Sequence, residues 1–191
     1  MISTEIDWVS RGCSDLDLEI LDVSQITLSI EDIRRVAEME IHPEVRRGDM
    51  YAETERAPSQ DLQASIKGFK EVFKKARKDE NQLCLLAKLD GNVVGWLGIH
   101  RLDKPKRHVG DVGITVHPDY QRRGIGTELL KAGISLARKR GFKRLEIVTL
   151  AENKVMRRAA EKAGFHLEGI RRKAINFHGK LRDEALYAIL L

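Results

Sequence analysis

The stretch from Val112 to Arg140 limits the fold more than any other. It opens with Val112-Gly113-Ile114-Thr115-Val116, mostly apolar and partly β-branched, and continues into Gln121-Arg122-Arg123-Gly124-Ile125-Gly126-Thr127. Leu129, Leu130, Gly133, Ile134, Leu136 and Ala137 then recur at spacings of three and four. The order is strand, tight basic glycine turn, amphipathic helix. The first amides of such a helix have no acceptor within it and carry roughly half a positive charge, which suits a phosphate. Gly124 and Gly126 let an anion approach the backbone, and Arg122 and Arg123 add forked cationic donors. A P-loop is excluded, because no Lys-Ser/Thr pair follows a glycine here, and so is a dinucleotide fingerprint, whose third glycine is replaced by Leu129.

Charge sharpens this reading. The 191-residue chain has a net charge of +5, and Gln121 to Arg144 holds eight Lys/Arg against one acid, Glu128. Such a local field fits a small polyanionic cofactor as well as a nucleic-acid backbone. Arg138, Lys139 and Arg140 also suit a helix C-terminus in their own right. Apolar content of 42% is ordinary for a globular chain, and no run approaches the ~20 apolar residues of a membrane span. The N-terminus has neither the basic nor the apolar region of a signal peptide. Cys13 and Cys84 form no CxxC pattern, so a reducing, cytoplasmic setting is expected. The six histidines show no ligand spacing, and no metal site is expected.

Around this stretch the pattern predicts one or two short strands, from Leu16, Leu18 and Ile20 and then Ile26 and Leu28. A helix capped by Ser29 should end at Pro43, and a polar loop should cover 42–57. A second helix should start at Pro58-Ser59. Strands at 83–89 and 93–100 flank the Asp90-Gly91 turn, and a third covers 109–116. The glycine-loop helix should stop at Gly141, followed by a strand over 144–150 and a helix over 153–163 stopped by Gly164. A closing hairpin is expected over 165–175 and 181–191. The βαβ passage places a parallel pair inside a mixed sheet.

Taken together, these residues resemble the GNAT superfamily of acyl-CoA N-acyltransferases. The resemblance rests on the Q/R-x-x-G-x-G/A loop Gln121 to Gly126, and on Asn153 followed by Glu161-Lys162-Ala163-Gly164-Phe165. The C-terminal part is similar to the branch that acetylates protein N-termini, polyamines and small amines. The resemblance spans about residues 18–191, read as one N-acetyltransferase domain behind an extension, 1–17, with no assigned role. It implies a mixed α/β (α+β) sheet of six to seven mostly antiparallel strands, with a splayed central parallel pair and about four helices.

It also implies acetyl-CoA as co-substrate and a primary amine as acceptor, joined by direct attack in a ternary complex. The pantetheine arm would pair with Ile114, Thr115 and Val116. The pyrophosphate would meet Gln121, Arg122, Arg123, Gly124, Ile125, Gly126 and Thr127, and Asn153 would hydrogen-bond the arm. A Lys-like amine is neutral only to about 0.04% at pH 7 and an α-amine to roughly 10–17%, so a base matters most for the former. Asp111 is the first candidate base and Glu146 the second, with the Val116 N–H as oxyanion donor. The tyrosine that many relatives use as acid is Ala160 here, leaving Tyr120 and Tyr187 as candidates. The alternatives are a non-catalytic acyl-CoA sensor and, third, a nucleic-acid binder. The apolar strand Ala185–Leu191 could pair with a second subunit in a homodimer.

Overall fold

A computed structural model describes residues 17–47, 61–177 and 179–191. The extension 1–16, most of the expected 42–57 loop, Pro58-Ser59 and His178 lie outside the described residues. In chain order the elements are β1 (Leu18–Asp22), α1 (Ile30–Ile41), α2 (Pro43–Arg46), α3 (Leu62–Lys78), β2 (Gln82–Leu89), β3 (Asn92–Arg101), β4 (Val109–Val116), α4 (Ile125–Lys139), β5 (Arg144–Leu150), α5 (Lys154–Ala163), β6 (His166–Phe177) and β7 (Lys180–Leu190). A short 3-10 turn, Pro118–Tyr120, links β4 to α4.

The strands form one seven-stranded sheet in the order β1-β2-β3-β4-β5-β7-β6. Every neighbouring pair is antiparallel except β4–β5. On one face α4 and α5 bury Leu129, Leu130, Ile134, Ala137 and Ala160 against Leu97, Ile99, Val112, Leu145, Ile147 and Tyr187. On the other, α1 and α3 bury Val36, Met39, Phe69 and Phe73 against Cys84, Leu86 and Val93. Strand β2 is therefore buried on both faces and reads as a near-continuous apolar run.

Three sequence expectations change. Residues 26–28 are not a strand, because Arg77 of α3 donates to the carbonyls of Val23 and Ile26 and fixes that segment as a loop. Pro43 does not only end α1; it opens α2, where His42 Nδ1 accepts the Glu44 N–H at 3.2 Å. The terminal strand β7 has β5 on one side and β6 on the other over Ala185–Ala188, so that part of the expected pairing strand is interior to the sheet. No helix among the described residues is long and apolar enough to cross a membrane.

Candidate active site

Strands β4 and β5 share three rungs, Val109↔Arg144, Gly110↔Leu145 and Asp111↔Glu146, and the register then ends. Beyond that point β4 keeps its pairing with β3 up to Gly95↔Val116, while β5 pairs with β7 up to Leu150↔Glu184. The two central strands have parted. The closed end is tightly packed: a Cβ on Gly110 would lie 2.7 Å from both Ile99 and Leu145 and 2.9 Å from Phe142.

Ladder geometry shows which backbone groups line the gap. Residues facing each other in an antiparallel pair alternate between bonding each other and pointing away. The His117 N–H donates to Val94 O at 2.9 Å, and the β3–β4 register has no shift. His117, Thr115 and Gly113 therefore direct their main chains to β3. The N–H and C=O groups of Ile114 and Val116 point toward the side that β5 has left, whereas Val112 adjoins the last shared rung, Asp111↔Glu146. Of the three residues expected to pair with a cofactor arm, Ile114 and Val116 present backbone to the gap. Thr115 has its main chain turned to Trp96, and only its side chain remains on the face shared with Asp111. The Val116 carbonyl accepts from Gln121 Nε2 at 3.1 Å, so Gln121 ties the strand end to the glycine loop.

At the end of the gap the chain turns sharply. Arg122 has φ +62° and Gly124 φ +88°, two left-handed residues separated by one that is not. Alternation of this kind directs successive amides toward one side, as in an anion-binding nest. Arg122 occupies that region at a cost of about 1–3 kcal/mol, an outlier of the sort stored at ligand sites. Gly124 caps α4 without a side chain, and the first bond of the helix runs from Glu128 N–H to Gly124 O at 3.1 Å. The amides of Ile125, Gly126 and Thr127 have no acceptor within α4. Ile125 anchors the turn in the core, whereas Arg122 and Arg123 are exposed. A Cβ on Gly126 would meet only Val116 and Ile114 at 3.7 and 3.8 Å, so internal packing does not demand glycine there.

The titratable candidates separate clearly. Asp111 is exposed and stands on the last shared rung, directly beside Glu146. Glu146 holds Arg144 Nε at 2.8 Å through Oε1. Arg144 also donates to Glu168, with Nη1 2.7 Å from Oε1. This pairing with Glu168 first, and with Glu146 second, raises the guanidinium above its ordinary value, and Arg144 in turn holds the Glu168 carboxyl below the usual carboxylate range. Tyr187 is fully buried on the α5 face, where its hydroxyl donates to Glu161 at 2.7 Å and accepts from Arg157 Nε at 2.9 Å. Asn153 caps α5, its Oδ1 accepting the Met156 N–H at 3.1 Å. Tyr120 is half-buried, edge-on to His117 at 5.7 Å and 5.3 Å beneath the Arg123 guanidinium. Among the described residues no group of three or more His, Cys, Asp or Glu is arranged to hold a metal.

Arg144 and Arg157 were not singled out by the sequence. Arg144 could have been, since Arg-x-Glu on a strand puts both charges on one face. Arg157 could not, because its hydroxyl partner lies 30 residues away.

Known proteins share this architecture. The sequence model of the Acetyltransferase (GNAT) family matches residues 40–165. L-amino acid N-acetyltransferase AaaT of Escherichia coli (strain K12) is 32% identical over 101 residues, 52% of this chain and 62% of the relative's own length. An acetyltransferase of the GNAT family from Streptococcus pneumoniae superposes with a TM-score of 0.72 at 22% identity, covering 92% of this chain and 99% of that one. RimL, a ribosomal L7/L12 alpha-N-protein acetyltransferase solved in complex with coenzyme A, superposes with a TM-score of 0.74 at 17% identity, covering 94% and 97%. With a family model that spans about two thirds of its length, and with a central strand pair that parts ahead of the glycine loop, the chain belongs to the GNAT acetyltransferase family.

Proposed function

We propose that this protein is an acetyl-CoA-dependent N-acetyltransferase that acts on a primary amine by direct attack in a ternary complex. The observation that carries the reading is the gap beyond Asp111↔Glu146, which turns the main chain of Ile114 and Val116 to the side that β5 has left and leads to the uncapped start of α4. The residues fit the co-substrate: an extended arm can add to a strand edge, and a diphosphate suits orphan amides beside two arginines. Acetyl-CoA supplies the activated thioester.

The chain's own residues do the rest. Ile114 and Val116 hold the arm, Arg122 to Thr127 hold the diphosphate, and Asn153 steadies the far side. The Val116 N–H is the donor toward the carbonyl oxygen. Asp111 takes the proton from the attacking amine, directly or through one water, as the nitrogen–carbon bond forms and the carbon–sulfur bond breaks. Glu146, tied to Arg144, holds the neighbouring rung and is the second candidate. Ala160 provides no acid, and a thiol of ordinary pKa about 8.5 leaves tolerably without one. Tyr187 has no assigned proton to move, since its hydroxyl is enclosed between Arg157 and Glu161.

The test has two parts. Free-thiol release from acetyl-CoA is followed against a panel of amino acids, N-terminal peptides and polyamines. Hydrogen exchange is read with and without coenzyme A. Amine-dependent thiol release, with slowed exchange at Ile114 and Val116, is the expected result. Slowed exchange with no turnover on any amine would assign the sensor role instead, and unchanged exchange would remove the cofactor site.

A further inference from the structure

The basic excess between Gln121 and Arg144 divides in space. Helix α4 has 15 residues, which is about 22 Å of axis, so its two ends cannot serve one diphosphate. Arg122 and Arg123 stand at the cofactor end. Arg138, Lys139 and Lys143 stand at the opposite end of the sheet, with the loop that joins β3 to β4. Four contacts join these segments. The Lys143 N–H donates to His108 O at 2.9 Å. Arg101 donates to Arg107 O at 2.9 Å and to Arg140 O at 2.8 Å, and its guanidinium lies 3.7 Å over the Phe142 ring. Arg101 therefore works inward as a clamp, and the cations around it face outward. Lys104, Lys106, Arg107, Arg138, Lys139 and Lys143 are all exposed, and the two segments 102–108 and 138–143 contain one acid, Asp103.

The end of a helix accounts for Arg138 and Lys139, which complement the macrodipole. It does not account for Lys104, Lys106 and Arg107, which lie on a loop that Arg101 ties down at the Arg107 carbonyl. We infer that this pole is a docking surface for the phosphodiester backbone of a duplex nucleic acid, separate from the cofactor site. Six exposed cations on a loop, a helix end and the residue before a strand offer charge to several phosphates of one backbone. They do not form the polar face of an amphipathic helix with an apolar face opposite, which is how a protein lies in a bilayer surface. No side chain here reads base edges from a recognition helix, so the binding is expected to be indifferent to sequence and to carry the full salt dependence of phosphate contact.

The test uses the full chain and fluorescence anisotropy with 20-base-pair RNA and DNA duplexes of matched sequence. If about four phosphates are neutralised, affinity should fall roughly 100-fold between 50 and 200 mM salt. The triple charge reversal K104E/K106E/R107E should weaken duplex binding more than about tenfold and leave the acetyl-CoA affinity within twofold. A second variant, R138E/K143E, should do the same, which separates loss of the surface from misfolding of one loop. Saturating coenzyme A should not compete. Absence of duplex binding at 50 mM salt overturns the proposal. So does duplex binding that survives both variants but is lost in R122E/R123E or displaced by coenzyme A. Tighter binding to phosphatidylserine vesicles than to either duplex overturns it too, in favour of a membrane.

Discussion

Single residues divide the chemistry from the scaffold in this protein. Asp111 and Glu146 share a rung, yet one is exposed at the start of the gap and the other is held by Arg144. The conservative change Asp111→Asn keeps the shape and removes the proposed base. It should lower kcat about 100-fold on a Lys-like acceptor, leave KM for acetyl-CoA within twofold and flatten the pH–rate profile, all checked by steady-state kinetics. Arg122 is informative in a different way, because its left-handed backbone sets fold against ligand. Arg122→Gly removes strain and a charge together. Thermal stability should stay level or rise, while KM for acetyl-CoA rises about fivefold, and melting curves beside kinetics would show the two diverge.

At the scale of elements, polar links tie helices to strands and set where the site sits. Asp32 begins α1 in a reciprocal cap with Ser29 and lies 2.6 Å from Lys88 of β2. Burial pulls its carboxyl upward, but Lys88 and the Ser29 hydrogen bonds outweigh this and hold it below the ordinary value. A depressed carboxyl contributes stability above its unfolded pKa of about 3.9 and loses it as pH falls through the lower folded value. Lys88→Met should therefore cost about 2–3 kcal/mol at pH 7, and the gap to the parent protein should close below pH 4, measured by urea midpoints at both. Helix α5 is tied to β7 through Arg157, Tyr187 and Glu161, and Arg157 also holds Ala151 O at 2.8 Å. Tyr187→Phe leaves that network a partner short. It should cost about 1–2 kcal/mol in chemical denaturation and change kcat less than threefold; a large loss of rate at intact stability would restore Tyr187 as an acid.

These links also explain what could be read beforehand. Strands β4 and β5, helix α4 and the turn between them were legible because apolar period, glycine punctuation and charge agree over 109–150. The stop at Gly164 was legible too, since it is left-handed at φ +99°. Helix α2 was not, because a four-residue helix has no period and rests on one histidine cap. The loop at 26–28 was not, because the arginine that fixes it lies 51 residues later. Within the site, the glycine loop could be seen as a string. The end of the β4–β5 register and the pairing of Arg144 with Glu168 could not, since both depend on how the strands are ordered in the sheet.

For the molecule as a whole, the place where two strands meet governs a site some distance away. From Gly110 to Val116 the strand extends about 20 Å, with its pivot wedged among Ile99, Leu145 and Phe142 and its far end beside the glycine loop. The site therefore behaves like the jaws of a pair of tongs, whose aperture is set at the rivet. Gly110→Ala should cost about 1–3 kcal/mol in thermal unfolding and, although residue 110 touches no ligand, weaken acetyl-CoA binding by calorimetry. A methyl group at the rivet would be amplified along both arms, so the width of the gap is decided by hydrocarbon that lies outside it.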